Sequence, residues 1–331
     1  MGTTHRLLLA AVAAVCVFPS FETEAPLAAP DSRIDGAAPR PEFTDSSENF
    51  NLQFRTAGGK QFWTDHCWRD GWRIQQNAVT GHWRLLDPAN VRHAWGSRVA
   101  CERVLNRQHV GDQSAGLHHV ILVHGLFRSA ASMRRLGTAL EHPETRRIVL
   151  FEYASTRGSI ATHAAALREV VEGLSATAAI SFVGHSMGNI VVRHALGDWE
   201  RDGNQQLLER VKTVVMIGPP NQGAAIARQL AKLPAYGLVA GQGGLELGPQ
   251  WPHLEANLAI PSCPFGIIAG RLPDGVVNPL VGEAGDFVVS VNETRLPGGE
   301  LLEYNQVHSL LMDDPAVQQA VATFIDHHRF E

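Results

Sequence analysis

The sequence is short of several things, and each shortage excludes something. Its 331 residues hold four cysteines, too few for a fold held together by a disulfide framework. The longest apolar run, Leu7 to Phe18, has 12 residues, whereas a bilayer-spanning helix needs about 20. Positive charge is not in excess: 28 Lys and Arg face 33 Asp and Glu, a net charge of -5. With no basic run, neither a nucleic-acid partner nor a polyphosphate-binding surface is expected. His118, His119 and His124 share one stretch without convergent ligand spacing, so no metal site and no cofactor are expected. No internal repeat is apparent.

What remains is an ordinary globular composition, 44% hydrophobic and 18% charged, which can bury a sizeable core. The length fits two domains of roughly 150 residues or one large α/β domain. Arg6, the apolar run and then Pro19 and small residues form a secretory signal layout. Residues 1–25 therefore read as a cleaved signal peptide, and a secreted or periplasmic location is expected. Val15 ahead of Cys16 argues against lipidation. Residues 26–60 carry Pro26, Pro30, Pro39 and Pro41 with no apolar period and read as a linker.

Residues 61–116 form a Trp-rich extension with Trp63, Trp68, Trp72, Trp83 and Trp95, five of the seven tryptophans. Alternation around Trp72-Arg-Ile and Trp83-Arg-Leu predicts a small antiparallel hairpin whose tryptophans pack rather than form a sugar platform. Export would leave Cys67, Cys101 and Cys263, and a Cys67–Cys101 disulfide is expected, three unpaired thiols being the alternative.

From residue 117 to 331, short Val- and Ile-rich runs alternate with amphipathic stretches, which predicts an α/β fold: a mostly parallel sheet flanked by helices. Strands are expected at 119–124, 147–152, 180–184, 211–217 and 264–269, and helices at 129–140, 160–174 and 187–196. Gly184-His185-Ser186-Met187-Gly188 fits G-x-S-x-G between a strand and a helix. A serine on so tight a turn has a strained backbone, and side chains two positions either side would collide with neighbouring chain. Ser186 is the candidate nucleophile.

Upstream, His124-Gly125 follows the strand Val120-Ile-Leu-Val. With the elbow, with Phe151-Glu-Tyr-Ala-Ser-Thr-Arg and with Gly218-Pro-Pro-Asn-Gln-Gly, residues 117–331 resemble the α/β-hydrolase superfamily, lipase and esterase branch. The resemblance implies an oxyanion hole made of the backbone N–H groups of Leu126 and Met187. It also implies that His124 shapes its loop and transfers no proton.

A serine needs a histidine to take its proton and a carboxylate to hold that histidine's tautomer, in the chain order Ser, acid, His. His308 follows the strand-like run Leu301 to Val307 and precedes a terminal helix, so it is the candidate base. His194 lies more than two turns past the serine on the same helix. Asp286, which opens Phe-Val-Val-Ser-Val, is the candidate acid, with Asp274 in Leu-Pro-Asp-Gly as the alternative. The segment 219–263 reads either as an apolar lid over the serine or as an ordinary covering helix.

The expected function is an exported, cofactor-free hydrolase of carboxylic esters acting through an acyl-enzyme. Its substrate would be a small-molecule or lipid ester, acyl lipids above all, with transient contact at a lipid surface. An acyltransferase or amidase with the same triad, or a non-catalytic interaction protein on this fold, are the alternatives. The export reading makes one prediction. The mature chain begins near residue 26 to 30, and intact mass with N-terminal sequencing of secreted protein checks it; a retained Met1 would overturn it.

Overall fold

The computed structural model describes Thr56 and residues 61–108 and 116–331. The expected signal peptide and nearly all of the expected linker lie outside the described residues. Strands β1 (Trp63–Arg69), β2 (Trp72–Asn77), β3 (Trp83–Leu86) and β4 (Arg92–Gly96) form an antiparallel four-stranded meander, larger than a hairpin. Helix α1 (Arg98–Arg107) covers one face, its first turn capped by the Ser97 hydroxyl, which accepts from Ala100 N–H. Ile74, Leu85, Ala94, Cys101 and Leu105 are buried between them, with Cys67, Trp72 and Trp83 packed against them.

That packing corrects the disulfide expectation. Cys67, Cys101 and Cys263 are free thiols, and Cys67 and Cys101 serve as small apolar side chains of one cluster. Burial pushes the Cys101 thiol up to about 12. The tryptophans pack on their neighbours: the Arg84 guanidinium lies 3.8 Å from the Trp63 ring centre, and Trp63 and Trp95 both meet His82 edge to face.

The second sheet has six strands, all parallel: β5 (His118–Val123), β6 (Arg146–Phe151), β7 (Ile180–His185), β8 (Val211–Ile217), β9 (Phe265–Gly270) and β10 (Glu300–Tyr304). Their spatial order is β10-β9-β8-β7-β5-β6. β7 and β9 are buried at every position, as central parallel strands covered on both faces must be. On one face Val120, Leu122, Val183, Val215, Ile217 and Ile268 form a core with Met133, Leu136 and Leu140 and with Val317, Val321 and Phe324. Those partners lie on α2 (Arg134–Leu140) and its preceding 3₁₀ turn and on α10 (Pro315–His327), which Asp314 caps and Pro315 starts. On the other face α3 (Ile160–Glu172) and α4 (Met187–Arg201) pack together, and Trp199 meets Phe182 of β7 at 6.2 Å. Each fully buried aliphatic side chain contributes about 1.5–3 kcal/mol.

Strand order reverses between β5 and β7, because β6 lies outside β5 and every later strand lies beyond β7. The carboxyl ends of strands flanking such a reversal form a crevice where open α/β sheets bind ligands. Val123 and His185 end those two strands.

One buried and one half-buried histidine carry a pH consequence. Burial, assisted by nearby His124, lowers His163 from 6.5 to about 3. Burial and Arg146 lower His118 from 6.5 to about 4. The unfolded chain takes up these protons near pH 6.5 and the folded chain only at about 3–4, so stability is full above that window and declines as pH falls through it. Urea unfolding at about pH 7.5 and about pH 4.5 should show the loss, and His163→Phe should reduce it. A stability independent of pH across that range would contradict the assignment.

Candidate active site

β7 delivers its last residue into a turn that ends at Ser186, the residue before α4. Ser186 sits at φ 53, ψ -125, a region that bulky residues occupy only when the surroundings hold them there. Its N–H donates to the Ile217 carbonyl at 2.9 Å. The Asn189 amide donates to the carbonyls of Ser186 at 3.0 Å and Ile217 at 3.2 Å. A Cβ at Gly184 would collide with Asn189 Oδ1, and one at Gly188 with the Val123 carbonyl oxygen. The two motif glycines let β7, β5 and α4 close to backbone contact, which forces the serine outward.

His308 starts a 3₁₀ turn (His308–Asp313) shortly after β10. Its Nδ1 lies 2.6 Å from Asp286 Oδ2, and its backbone N–H donates to the Asp286 carbonyl at 3.0 Å. Asp286 is fully buried, and its Oδ1 accepts the N–H groups of Val288 at 3.0 Å and Val289 at 2.8 Å. With one oxygen committed to the backbone, the other is aimed at the imidazole. Nδ1 then carries the proton, and the Nε2 lone pair is free to accept one. Phe287, next in the chain, is held at φ 79, and Asn278 Nδ2 donates to its carbonyl at 2.6 Å.

The end of β8 joins Ser186 to the His308–Asp286 pair. Ile217 accepts from Ser186, while a Cβ on Gly218 would sit 3.0 Å from His308 Nδ1 and 3.3 Å from Asp286 Oδ2. Ser186 and the His308–Asp286 pair thus both border the Ile217–Gly218 junction at one end of the parallel sheet. Asp274 does not join them: its side chain is 93% exposed and pairs with Arg271 at 3.1 Å. His194 is buried on α4 with Asp198 Oδ2 3.0 Å from its Nδ1.

Leu126 lies in the turn Gly125–Arg128, closed by Arg128 N–H to the Gly125 carbonyl at 3.2 Å with Phe127 at φ 61. A Cβ at Gly125 would lie 3.0 Å from Ser186 Cβ, so this turn borders the nucleophile directly. Met187 is the first residue of α4, where helical N–H groups have no intrahelical acceptor. Leu126 thus follows a residue packed on Ser186, and Met187 follows Ser186 directly. His124 donates from Nδ1 to the Gly125 carbonyl at 2.9 Å and stacks on Tyr153 at 4.2 Å; it sits beneath the turn.

The segment 219–263 folds into α6 (Ala225–Leu230), α7 (Tyr236–Glu246) and α8 (Trp251–Glu255). α7 lies against Met187 and Leu126, since a Cβ on Gly243 would meet Met187 Sδ at 3.0 Å and one on Gly244 would meet Leu126 Cδ2 at 3.5 Å. The Glu246 carboxylate accepts Ile160 N–H at 2.7 Å, which ties α7 to the start of α3.

Reasoning from the sequence missed His185. Its Nε2 donates to the His308 carbonyl at 3.0 Å, and the two rings lie 4.8 Å apart. Burial and the neighbouring His308 push its pKa well below the ordinary value, so it stays a neutral donor beside the base. Its place in the elbow was visible, but its partner, 123 residues away, was not. Among the described residues, no cluster of three His, Cys, Asp or Glu could hold a metal ion, and no helix is long and apolar enough to cross a membrane.

Residues 113–219 match a family model described as "Putative serine esterase (DUF676)". The match covers about a third of the chain, including β5, the Gly125–Arg128 turn and the elbow, and stops before Asp286 and His308. A comparison with curated proteins found no match. Among solved structures, a metagenomic carboxyl esterase is similar at 20% identity, covering 66% of this chain and 77% of its own, with a TM-score of 0.46. The mature form of Bacillus licheniformis lipase BlEst2 is similar at 15% identity, over 65% of this chain and 93% of its own, TM-score 0.46. The lin2722 gene product of Listeria innocua is similar at 17% identity, over 64% and 94%, TM-score 0.46.

The two candidate acids separate cleanly in a test. Asp286→Asn should lower turnover by about 10⁴-fold, since it removes the charge that steadies the imidazolium. Asp274→Asn should stay within a few-fold of wild type. Each variant's thermal unfolding is measured first, and a severe defect confined to Asp274→Asn would reverse the assignment.

Proposed function

We propose that this α/β hydrolase cleaves carboxylic esters through an acyl-enzyme on Ser186, and that acyl lipids are its substrates. The observation that carries the reading is the 2.6 Å contact between His308 Nδ1 and Asp286 Oδ2 beside a serine held in an elbow at φ 53. Ser186 Oγ attacks the ester carbonyl carbon and gives its proton to His308 Nε2. The resulting imidazolium is held by the Asp286 carboxylate. Negative charge gathers on the former carbonyl oxygen, where the N–H groups of Leu126 and Met187 receive it. Such a donor is worth about 2.7–4 kcal/mol of barrier. The tetrahedral species collapses, the C–O bond to the leaving alcohol breaks, and His308 returns the proton to that alcohol. A water then repeats the sequence on the acyl-enzyme, releasing the acid and restoring Ser186.

Apolar residues around the triad support a lipid ester over a small soluble one. Phe287 follows the acid and is 36% exposed, and Leu310 lies two residues past the base at 45%. Leu238, 87% exposed, and Val239 project from α7, the helix that covers the oxyanion residues. Exposed apolar side chains of this kind suit acyl chains or a lipid surface. The N-terminal signal layout supports action after export.

A fluorophosphonate probe should label Ser186 in the folded protein, with the adduct located by peptide mass and absent from Ser186→Ala. p-Nitrophenyl esters of long-chain acids should be cleaved with higher kcat/KM than the acetate. An unlabelled Ser186 would sink the acyl-enzyme reading, and activity confined to the shortest esters would sink the lipid one.

A further inference from the structure

We infer that the tryptophan-rich sheet is an arm of the oxyanion hole, and that Gln61, just ahead of β1, is the positioning residue that holds the Leu126 turn. This rests on the reading of Ser186 as nucleophile and Leu126 N–H as oxyanion donor.

Gln61 is unusual in its backbone and in its partners. It sits at φ 63, a left-handed conformation that a residue other than glycine keeps only where its surroundings require it. Its side-chain amide joins two separate segments of the hydrolase domain. Nε2 donates to the Arg128 carbonyl at 2.5 Å. Oε1 accepts from Ser155 Oγ at 3.0 Å and from Thr156 Oγ1 at 3.1 Å. Arg128 is the last residue of the turn that carries Leu126, and that turn contains Phe127 at φ 61. A strained turn aims its amide reproducibly only when both ends are held. Tyr153 OH holds the entry through the His124 carbonyl at 2.6 Å, and Gln61 holds the exit.

A second connection from the same sheet reaches the residues just past the turn. The Asp65 N–H donates to the Glu152 carbonyl at 2.8 Å, and the Asp65 carboxylate accepts Glu152 N–H at 2.8 Å. The Glu152 side chain, fixed in this way, accepts the Ala130 N–H at 3.1 Å. Asp65 is braced from behind by Gln75 Nε2 at 2.7 Å, and Gln75 Oε1 by Arg84 at 2.6 Å and 2.9 Å. A buried polar chain of this length favours one unique arrangement rather than net stability. It runs from β3 across β2 and β1 to the oxyanion loop. The tryptophans, on this view, pack the sheet so that Gln61 and Asp65 are rigid.

An amide is the side chain this position requires, because it must donate to one segment and accept from another at once. A carboxylate keeps the acceptor but has no proton for the Arg128 carbonyl, so Gln61→Glu isolates the contact to the turn. The test compares wild type, Gln61→Ala and Gln61→Glu by steady-state kinetics, by thermal unfolding and by inhibition with an alkylboronic acid. That inhibitor accepts Ser186 Oγ at boron to form a tetrahedral adduct with an oxygen in the oxyanion position. Both variants should lose about 10–100-fold in kcat with KM within about twofold, since the donor acts on the transition state and not on the bound substrate. The boronate inhibition constant should rise in the same proportion, while Tm stays near wild type and the fluorophosphonate still labels Ser186. If Gln61→Ala fails to fold, Gln61→Met, which fills the volume without a polar atom, replaces it. Wild-type kcat and boronate affinity in folded Gln61→Glu would overturn the inference and leave the hydrolase reading intact. Failure of the probe to label wild-type Ser186 would bring down the hydrolase reading and the inference together.

Discussion

The backbone of Ser186, held at φ 53 between β7 and α4, is the constraint on which the rest of the site depends. A conformation of this kind costs about 1–3 kcal/mol and persists only where its surroundings over-determine it. Here Ile217, Asn189 and the flush contact of Gly188 with β5 supply that over-determination. The same Ile217 carbonyl ends β8, and Gly218 just beyond it borders both His308 and Asp286. One short junction therefore fixes the distance from nucleophile to base. The base is held at several points: Asp286 takes its ring and its backbone N–H, and His185 takes its carbonyl.

A second layer of polar contacts lies behind this junction and serves the opposite wall of the crevice. His124, Tyr153 and Glu152 sit under the Gly125–Arg128 turn; Asp65 of β1 reaches Glu152, and Gln61 just ahead of β1 reaches the Arg128 carbonyl. The two sheets thus do different work on one serine. The parallel sheet positions Ser186, Asp286 and His308, and contacts from the antiparallel one reach the Gly125–Arg128 turn. α7 closes the third side, with glycines where it meets Met187 and Leu126 so that helix and turn can touch. The helix is kinked at Gly241, and Leu238 and Val239 ahead of the kink are exposed.

Several readings from the sequence failed or fell short for identifiable reasons. Alternation near Trp72 and Trp83 marked strands, but strand number depends on pairing partners that alternation does not specify, and the expected hairpin is a four-stranded meander. The Cys67–Cys101 bridge was inferred from redox context and count. Both residues instead pack as small apolar groups in the cluster under α1. The contacts of His185 and Gln61 lacked a local signal, since each is made with a partner far along the chain, 123 residues away for His185 and 67 for Gln61.

Local chemistry was legible in the sequence, because it depends on neighbours in the chain. A short strand-like run, Ile180-Ser-Phe-Val, leading into Gly-His-Ser-Met-Gly signals a sharp turn into a helix, so the serine, its strand and its helix could be read directly. The alternation of such runs with amphipathic stretches likewise specified a parallel sheet under helices. Only the tertiary structure decided which acid meets His308, since Asp274 and Asp286 both follow β9 and carry the same charge. What separates them is the turn at Val288 and Val289, whose N–H groups orient the Asp286 carboxylate inward, while Asp274 pairs with Arg271 in solvent. Whether a carboxylate reaches an imidazole depends on where the backbone turns in three dimensions, and a residue's type and order in the chain do not encode that position by themselves.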